Sequence, residues 1–255
     1  MEILLFEALS SVNISWLGKL EFIFNKLKST VNYKIKKNLF EYNFFDKLDN
    51  PKFSFKGKFN FKPFYSSLDG KIDELKLSNL LNTNALIAQL LKTEIFNNKN
   101  IDFKLNVNAK TIYNNLNFKN INLKSKIQES LIDIDNTEFD WKNFAHFNIK
   151  ESLIYVKNGE LVLDGKLEIN IKNYYEIYKF LLTPKNYRNE IKKIDLNFSF
   201  NFDQKIANLK DIKLDGKINQ NVNKILNNLI LKEDKLQNKI YFKNLLNKAI
   251  KNYSG

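Results

Sequence analysis

The segment ELVLDGKLEINI, residues 160–171, forms either a hairpin or one continuous strand, and the fold depends on which of the two it forms. Apolar and polar residues alternate along it, and an Asp-Gly pair stands in the middle. Asp-Gly is a strong signal for a two-residue hairpin turn, but a hairpin here would carry the apolar residues from one face to the other halfway along the segment. A continuous strand keeps Gly165 in phase with one apolar row, formed by Leu161, Leu163, Leu167, Ile169 and Ile171. We therefore predict a continuous strand, bent at the glycine so that its apolar face is concave.

The tetrapeptide LDGK occurs three times, at residues 68–71, 163–166 and 214–217, and takes up three of the chain's 7 glycines. A phosphate-binding loop would need a GKS/T or GxGxxG sequence, and neither accompanies any copy. We predict that LDGK marks a bend in a strand. We predict the same part for Gly57 within KFSFKGKFNF, residues 52–61.

Alternation of apolar and polar residues runs through much of the chain. It is clearest in residues 52–61, 101–110, 121–127, 131–135, 160–171 and 194–202. Such alternation is typical of antiparallel strands with one apolar and one solvated face. Apolar residues recur at helical spacing near residues 84–95, 174–182, 222–230 and 239–253. The predicted fold class is mainly β (α+β): an elongated, curved antiparallel sheet with short amphipathic helices.

The first 45 residues mix both periods. The sequence therefore divides the chain into an ambiguous N-terminal segment, residues 1–45, and a β domain, residues 46–255. The opening MEILLFEAL carries two glutamates and lacks the cationic start of a signal peptide. No apolar run is long enough to span a bilayer. We expect neither a signal peptide nor a transmembrane segment in this chain.

The chain is strongly basic, with a formal net charge of +13 over 255 residues. Arg188 is the only arginine among 41 cationic residues, so lysine supplies nearly all of the positive charge. Specific reading of bases and phosphates favours the planar guanidinium group. We expect a nonspecific attraction to anionic membrane surfaces or nucleic acid, and no specific nucleic-acid binding. The absence of cysteine excludes disulfides and thiolate chemistry.

No motif with catalytic spacing is present. His146 is the only histidine, and no nucleophile elbow or orienting sequence surrounds it or the nearby Ser152. The acidic run IDIDNTEFD, residues 132–140, lacks the central glycine and the bidentate glutamate of a calcium loop. Asp133 and Asp135 fit the solvated side of a strand better. We predict a non-enzymatic protein without a cofactor or a bound metal.

Three segments carry a resemblance to the C-terminal region of AsmA-family proteins of AT-rich alphaproteobacteria. They are IDFKLNVNAKTIYNNLNFKNINLKSKIQESLIDIDNTEFDW (101–141), SLIYVKNGELVLDGKLEINIKNYYEIYKFLLTPKNYR (152–188) and IKKIDLNFSFNFDQKIANLKDIKLDGK (191–217). The similarity covers roughly residues 50–255 and rests on the pattern and spacing of strands, without a catalytic signature. The chain differs from the family in lacking its N-terminal membrane helix, so we expect a truncated gene or the C-terminal portion of a longer protein.

The resemblance implies a taco-like β-groove on the periplasmic side of the inner membrane. AsmA-like proteins and their TamB-like relatives are thought to carry phospholipid toward the outer membrane in such a groove. The implied partners are phospholipid, an anionic membrane surface and other envelope proteins that extend the groove. The side chains expected to line it are Phe55, Phe59, Phe61, Phe103, Leu105, Leu167, Ile169, Phe198 and Phe200.

The residues alone leave an alternative open. The short helices would cover the apolar face and close an ordinary α+β core. The chain would then be a structural or nucleic-acid-binding basic domain without lipid transfer.

Residues 239–253 form a predicted basic amphipathic helix with two possible roles. It would lie in the interface of an anionic bilayer, or contact a partner, through Phe242, Lys243, Leu245, Leu246 and Lys248. Alternatively, it would cap the open end of the sheet and shield the last strand from edge pairing.

Overall fold

A computed structural model describes residues 15–24, 27–46, 51–77, 82–226, 229–232 and 239–253. This part of the chain is mainly β, with short helices, which confirms the predicted fold class. The strands are β1 (Ser15–Phe24), β2 (Leu27–Lys36), β3 (Leu39–Phe45), β4 (Phe53–Phe61), β5 (Phe64–Leu75), β6 (Asp102–Ile112), β7 (Asn115–Gln128), β8 (Leu131–Asp133), β9 (Glu138–Trp141), β10 (Ala145–Lys157), β11 (Glu160–Ile171), β12 (Lys193–Asn201), β13 (Ile206–Leu214), β14 (Lys217–Ile218) and β15 (Leu229–Lys232). The helices are α1 (Leu86–Lys92), α2 (Tyr174–Leu181), α3 (Gln220–Leu226) and α4 (Lys239–Lys251).

All 15 strands belong to one sheet, and its order follows the chain from β1 to β14. β8 and β9 both pair with β7 and β10, so they lie end to end between them. β14 and β15 pair with opposite ends of β13. Twelve spacings of about 4.8 Å make the sheet roughly 58 Å wide along its surface.

One pair of neighbours departs from the antiparallel prediction. β5 and β6 pair in parallel, while every other pair of described strands is antiparallel. The connection between them, residues 76–101, contains α1. A parallel pair needs a crossover of about this length, whereas a tight turn suffices for an antiparallel pair.

The segment that the sequence left ambiguous is largely strand. β1, β2 and β3 pair in order, and β3 pairs with β4 along its whole length. They are therefore part of the same sheet as the rest of the chain. Residues 1–14, including MEILLFEAL, lie outside the described residues.

Cross-strand pairing sorts the side chains of the sheet into two faces, because directly paired residues share a face and so do alternate residues along a strand. We call one the apolar face. Across β1–β7 it contains Trp16, Leu20, Val31, Tyr33, Ile35, Phe40, Tyr42, Phe44, Phe53, Phe55, Phe59, Phe61, Phe64, Leu68, Ile72, Phe103, Leu105, Val107, Ile121, Leu123 and Ile127. Across β10–β13 it contains Phe147, Ile149, Ile154, Leu161, Leu163, Leu167, Ile169, Ile194, Leu196, Phe198, Phe200, Leu209, Ile212 and Leu214. We call the other the lysine face, after Lys34, Lys56, Lys58, Lys104, Lys124 and Lys126.

The structure confirms a continuous strand at two of the three LDGK copies. Residues 68–71 lie within β5, and residues 163–166 lie within β11. The glycines there make room for an aromatic ring on the neighbouring strand. A Cβ at Gly165 would lie 3.1 Å from the ring of its partner Phe198, and a Cβ at Gly70 would lie 2.5 Å from the ring of its partner Phe55. Each ring covers backbone that has no side chain of its own.

The prediction is wrong at the third copy, residues 214–217. Leu214 pairs with Lys217 across a two-residue turn in which Asp215 and Gly216 have φ of 48° and 79°. Positive φ at both central positions is typical of the type I′ hairpin that favours Asp-Gly. The next residues explain the difference, because the side chain of Asn219 accepts a hydrogen bond from the N–H of Val222 at 3.0 Å. Asn219 thus caps α3, and the chain must leave the sheet.

The helices pack on the C-terminal part of the sheet. Val222 and Leu226 of α3 and Ala249 of α4 are buried in one cluster with Leu196 and Ile212 of the apolar face. The predicted helix over 222–230 is too long, because α3 ends at Leu226 and residues 229–232 form β15. Pairing with β13 supplies the backbone of β15 with ladder hydrogen bonds. Within the described ranges, no helix is long and apolar enough to cross a membrane, and α4 has only 13 residues.

Candidate functional site

All nine side chains predicted to line a groove lie on the apolar face. The structure divides them into two groups. Leu167, Ile169 and Phe198 pack against the buried cluster beneath α3 and α4. Phe55, Phe59 and Phe61 lie far from those helices along the sheet, in β4. Phe103 and Leu105 in β6 are half-buried, and Phe200 in β12 contacts Phe202 edge to face.

The apolar face of β2–β5 carries nine aromatic rings in three groups of three, each group held together by its own ring contacts. Their centroids are 4.7–6.3 Å apart in successive contacts, within the range of favourable ring pairs. We call this set the aromatic section; it consists of Tyr33, Phe40, Tyr42, Phe44, Phe53, Phe55, Phe59, Phe61 and Phe64. Six of the nine members were not among the predicted groove residues: Tyr33, Phe40, Tyr42, Phe44, Phe53 and Phe64. For the first four the signal was present, because residues 31–36 and 39–45 also alternate, but their neighbours obscured it.

Burial changes along the sheet. None of the nine aromatic-section side chains is buried, and Phe61 is 57% exposed. Trp16 on the same face of β1 is 54% exposed. From β6 onward the same face contains buried residues, including Val107, Ile127 and Leu163. The apolar face is thus covered at one end and accessible at the other.

A cleft of about 620 Å³ lies on the aromatic section, at the end where β4 begins and β5 ends. Its floor is formed by Phe44, Phe53, Phe55 and Ile72. Charged residues line its edge, namely Lys52, Asp73, Glu74 and Lys76. The volume and the apolar floor with a few charged groups are typical of sites for small amphipathic ligands.

A larger cleft, of about 1110 Å³, lies on the opposite, lysine face and extends over β1–β8. Its polar lining includes all six lysines that define that face. The lysine face is thus hollowed as well as the apolar one, and the prediction that the apolar face is the concave one stays a prediction. A strongly twisted sheet is hollowed on both faces along different diagonals, and alternation along single strands carries no information about that twist.

His146 belongs to an ion-pair cluster on the lysine side of β9–β11. Its Nδ1 lies 3.0 Å from Oδ1 of Asp140, Lys172 donates to the same oxygen at 2.7 Å, and Asn120 donates to Oδ2 at 2.8 Å. Burial acts to raise the pKa of Asp140, but these hydrogen bonds prevail and lower it to about 2. Asp140 therefore stays ionised and joins β7, β9 and the residue after β11.

Ser152 cannot act with this pair. It lies six positions along β10 from His146, roughly 20 Å away at the rise of a strand. Its Oγ donates to Asp135 at 2.6 Å and accepts from the N–H of Ile134 at 2.9 Å, so it fixes the segment after β8. Among the described residues, no group of three His, Cys, Asp or Glu side chains has the geometry of a metal site.

The C-terminal helix packs more fully than a membrane-contact helix would. Leu245 lies against the buried cluster, and Leu246 is half-buried. The ammonium group of Lys243 lies 4.1 Å from the ring centroid of Phe180 in α2, while Lys248 is exposed. The side chain of Phe242 lies outside the described residues. Leu245, one of the residues predicted to contact a membrane, thus packs against the core of the protein.

Comparison with protein-family models, with curated proteins and with solved structures finds no significant match to this chain. The resemblance to the AsmA family stays a prediction, and the assignment of a site rests on the geometry of the two faces.

Proposed function

We propose that this protein binds the acyl chains of phospholipid on its aromatic section and acts without catalysis. By resemblance to the AsmA family, it would form part of a lipid-transfer groove on the periplasmic side of the inner membrane. The observation that carries the proposal is the uneven cover of the apolar face. Nine aromatic side chains on one face of β2–β5 are partly or largely accessible, whereas soluble monomers rarely expose an apolar patch beyond a few hundred Å².

The energetics favour an apolar occupant. Fully burying a phenylalanine side chain contributes about 1.5–3 kcal/mol. Apart from Phe61, each ring exposes only about a third of its surface or less, so a ligand that covers all nine would gain on the order of 3–6 kcal/mol before the costs of association. The cleft on Phe44, Phe53 and Phe55 offers an apolar floor for acyl chains, and Lys52 and Lys76 at its edge suit an anionic headgroup.

The closed-core alternative accounts for only part of the molecule. α3 and α4 cover the apolar face of β11–β13 as an ordinary α+β core would. That cover leaves the aromatic section accessible, and the buried apolar residues of the described chain begin at Leu75, after β1–β4. A closed core would need another element over this end.

Lipid binding can be tested with variants of a single strand. Phe55→Gln, Phe59→Gln and Phe61→Gln together remove three rings from the apolar face of β4. We expect them to weaken binding of a fluorescent phosphatidylglycerol by at least about 10-fold, because each lost ring removes roughly 1 kcal/mol or more of contact. Lipid that co-purifies with the wild type, measured by mass spectrometry, should fall in parallel.

The matched control changes the opposite face of the same strand, at Ser54, Lys56 and Lys58, each to Gln. It should bind lipid as the wild type does. Equal binding by both variants, or a wild type that neither carries nor binds lipid, would refute the proposal. If a second copy of the chain covers the aromatic section instead, light scattering will show a dimer that the phenylalanine variant converts to a monomer.

A further inference from the structure

We propose a second binding site in the cleft on the lysine face, which takes a linear chain of phosphate groups. The chain would be the backbone of single-stranded nucleic acid or inorganic polyphosphate, held by charge and without base specificity. This site is independent of the lipid proposal, because the two faces are separated by the thickness of the sheet and a headgroup on the aromatic section cannot reach it.

The first observation is a row of lysines that crosses the strands. Lys34 of β2 is followed, in direct cross-strand pairs, by Glu41, Lys58, Ser67, Lys104 and Lys126. A parallel row contains Lys56 and Lys124. From β2 to β7 the rows extend roughly 24 Å at the usual strand spacing. A linear polyanion that lies across the strands would meet them in succession.

The second observation is that lysines outnumber carboxylates in the lining of the cleft, six to four. In the part of the chain that the structure describes, none of the six cleft lysines lies within ion-pair distance of a carboxylate, although lysines elsewhere form such pairs. Asp133 is the cross-strand partner of Lys126, whose positive charge acts on it, and Asp69 is the cross-strand partner of Lys56. Two of the cleft carboxylates accept hydrogen bonds from side-chain donors of the protein. Asp135 accepts from the N–H and Oγ of Ser152, at 2.7 and 2.6 Å, and Asp69 accepts from Asn106 at 3.3 Å.

The third observation is a direct juxtaposition of like charges. Lys104 and Lys126 are cross-strand partners, an arrangement that destabilises a sheet unless an anion lies between them. The ammonium groups of Lys58 and Lys104 also lie 5.3 and 5.7 Å from the ring centroid of Tyr65, on the same face. The ring of Tyr65 thus has two lysine ammonium groups beside it. Aromatic rings next to cationic side chains are found where single-stranded nucleic acids bind.

The shape of the site favours a linear polyanion over a membrane surface as the ligand. The lysines line a cleft, and a planar bilayer cannot follow the floor of a cleft. Lysine rather than arginine supplies the charge, which suits point contacts with phosphates and not the reading of bases. A gene rich in A and T would encode many lysines throughout the chain. It would not by itself place six lysines without a close ion pair in a single cleft.

The test compares two variants with the same net charge. The cleft variant carries Gln at Lys56, Lys58, Lys104 and Lys124. The control carries Gln at four exposed lysines outside the cleft, Lys99, Lys157, Lys185 and Lys217. Binding of fluorescein-labelled oligothymidylate is measured by anisotropy between about 50 and about 200 mM salt, where phosphate contacts lose affinity steeply. Unlabelled polyphosphate and phosphatidylglycerol vesicles serve as competitors.

Six phosphate contacts predict a slope of log K against log salt of about −4 for the wild type, at about 0.7 per contact. The cleft variant should retain a slope of only about −1 to −2 and bind at least about 10-fold more weakly at low salt, while the control stays close to the wild type. Competition by polyphosphate, phosphate for phosphate, would identify a general phosphate chain; failure to compete would identify nucleic acid.

Three results would overturn the proposal: no binding of either phosphate chain at low salt, equal losses in the two variants, or cleft-dependent binding of vesicles alone. The phenylalanine variant of β4 separates the two proposals. It should lose lipid and keep the oligonucleotide, and the cleft variant should do the opposite.

Discussion

At Gly57, Gly70 and Gly165 in the sheet, the effect of the residue on stability depends on a side chain of the neighbouring strand. Glycine in a strand interior is unfavourable, because the backbone loses the most freedom and no side chain packs. Here the ring of a cross-strand partner occupies the space that a Cβ would fill, at Gly57 under Tyr42 as well as at Gly70 and Gly165. The glycine and the ring therefore form a unit, and neither residue's contribution can be judged alone.

Gly165→Ala should destabilise the protein by about 1–3 kcal/mol, although alanine normally suits a strand better than glycine. The added Cβ would lie 3.1 Å from the Phe198 ring and 3.3 Å from the Ser152 Cβ. The double variant Gly165→Ala/Phe198→Leu should lose less unfolding free energy than the sum of the losses in the two single variants, and urea unfolding measures all three. In the control double variant Gly165→Ala/Phe200→Leu, the losses of unfolding free energy should add, because Phe200 pairs with Leu163 and not with Gly165. Additivity in both pairs would contradict the close packing of Phe198 on Gly165.

At the scale of elements, α4 closes the core at the C-terminal end of the sheet. Asn247 Nδ2 donates to the carbonyl of Leu181, and its Oδ1 accepts from the buried Thr183 hydroxyl at 2.5 Å. Asn189 donates to the carbonyl of Tyr253 at 3.1 Å. These bonds tie α4 and the residues after it to the end of α2. They favour the role of a cap over that of a membrane contact.

Ala249→Asp should destabilise the protein by at least about 2 kcal/mol, because Ala249 is 5% exposed and the new carboxylate would lie among apolar side chains such as Val222 and Leu226. Lys248→Asp, on the exposed side of the same helix, should change the unfolding free energy by less than about 0.5 kcal/mol. Thermal or urea unfolding measures both. A variant at Lys248 that stays folded but no longer sediments with anionic vesicles would restore the membrane role.

At the scale of the whole molecule, the two ends of the sheet differ in how they are covered. The C-terminal strands β11–β13 lie under helices, and within the described residues no apolar side chain of β1–β4 is buried. The N-terminal strands carry accessible rings on one face and an excess of lysines on the other. Local stability follows buried contacts. The two ends of the sheet should therefore differ in stability although the hydrogen-bond ladder joins them.

Amide hydrogen exchange should reveal this difference. Peptides from β2–β4 should exchange before those from β10–β12, because no buried apolar side chain anchors β1–β4 within the described residues. Phospholipid should slow exchange in β2–β5 and leave β12 and β13 unchanged. Uniform protection along the sheet in the absence of ligand would show that the aromatic section is covered, and would count against the lipid proposal.

The sequence alone determined the strands, their two faces and the existence of the C-terminal helices. Alternation is a property of adjacent residues, so KFSFKGKFNF specifies both its strand and the side on which Phe55 and Phe59 lie. Alternation in the other strands likewise assigned the remaining predicted groove residues to the apolar side, and all nine lie on one face of the sheet. Residues 15–45 were left open because each alternating run there is short and interrupted by turns.

Only the tertiary structure decided which part of the apolar face is covered, where the clefts lie and which LDGK copy turns. Cover over Leu196 comes from Val222 and Ala249, and no local period records contacts so distant in sequence. The three identical tetrapeptides differ because their surroundings differ: β12 and β4 place a ring over two of the glycines, whereas Asn219 starts a helix just after the third. Curvature arises from the summed twist of many strands, which is why the lysine cleft could not be read from any one of them.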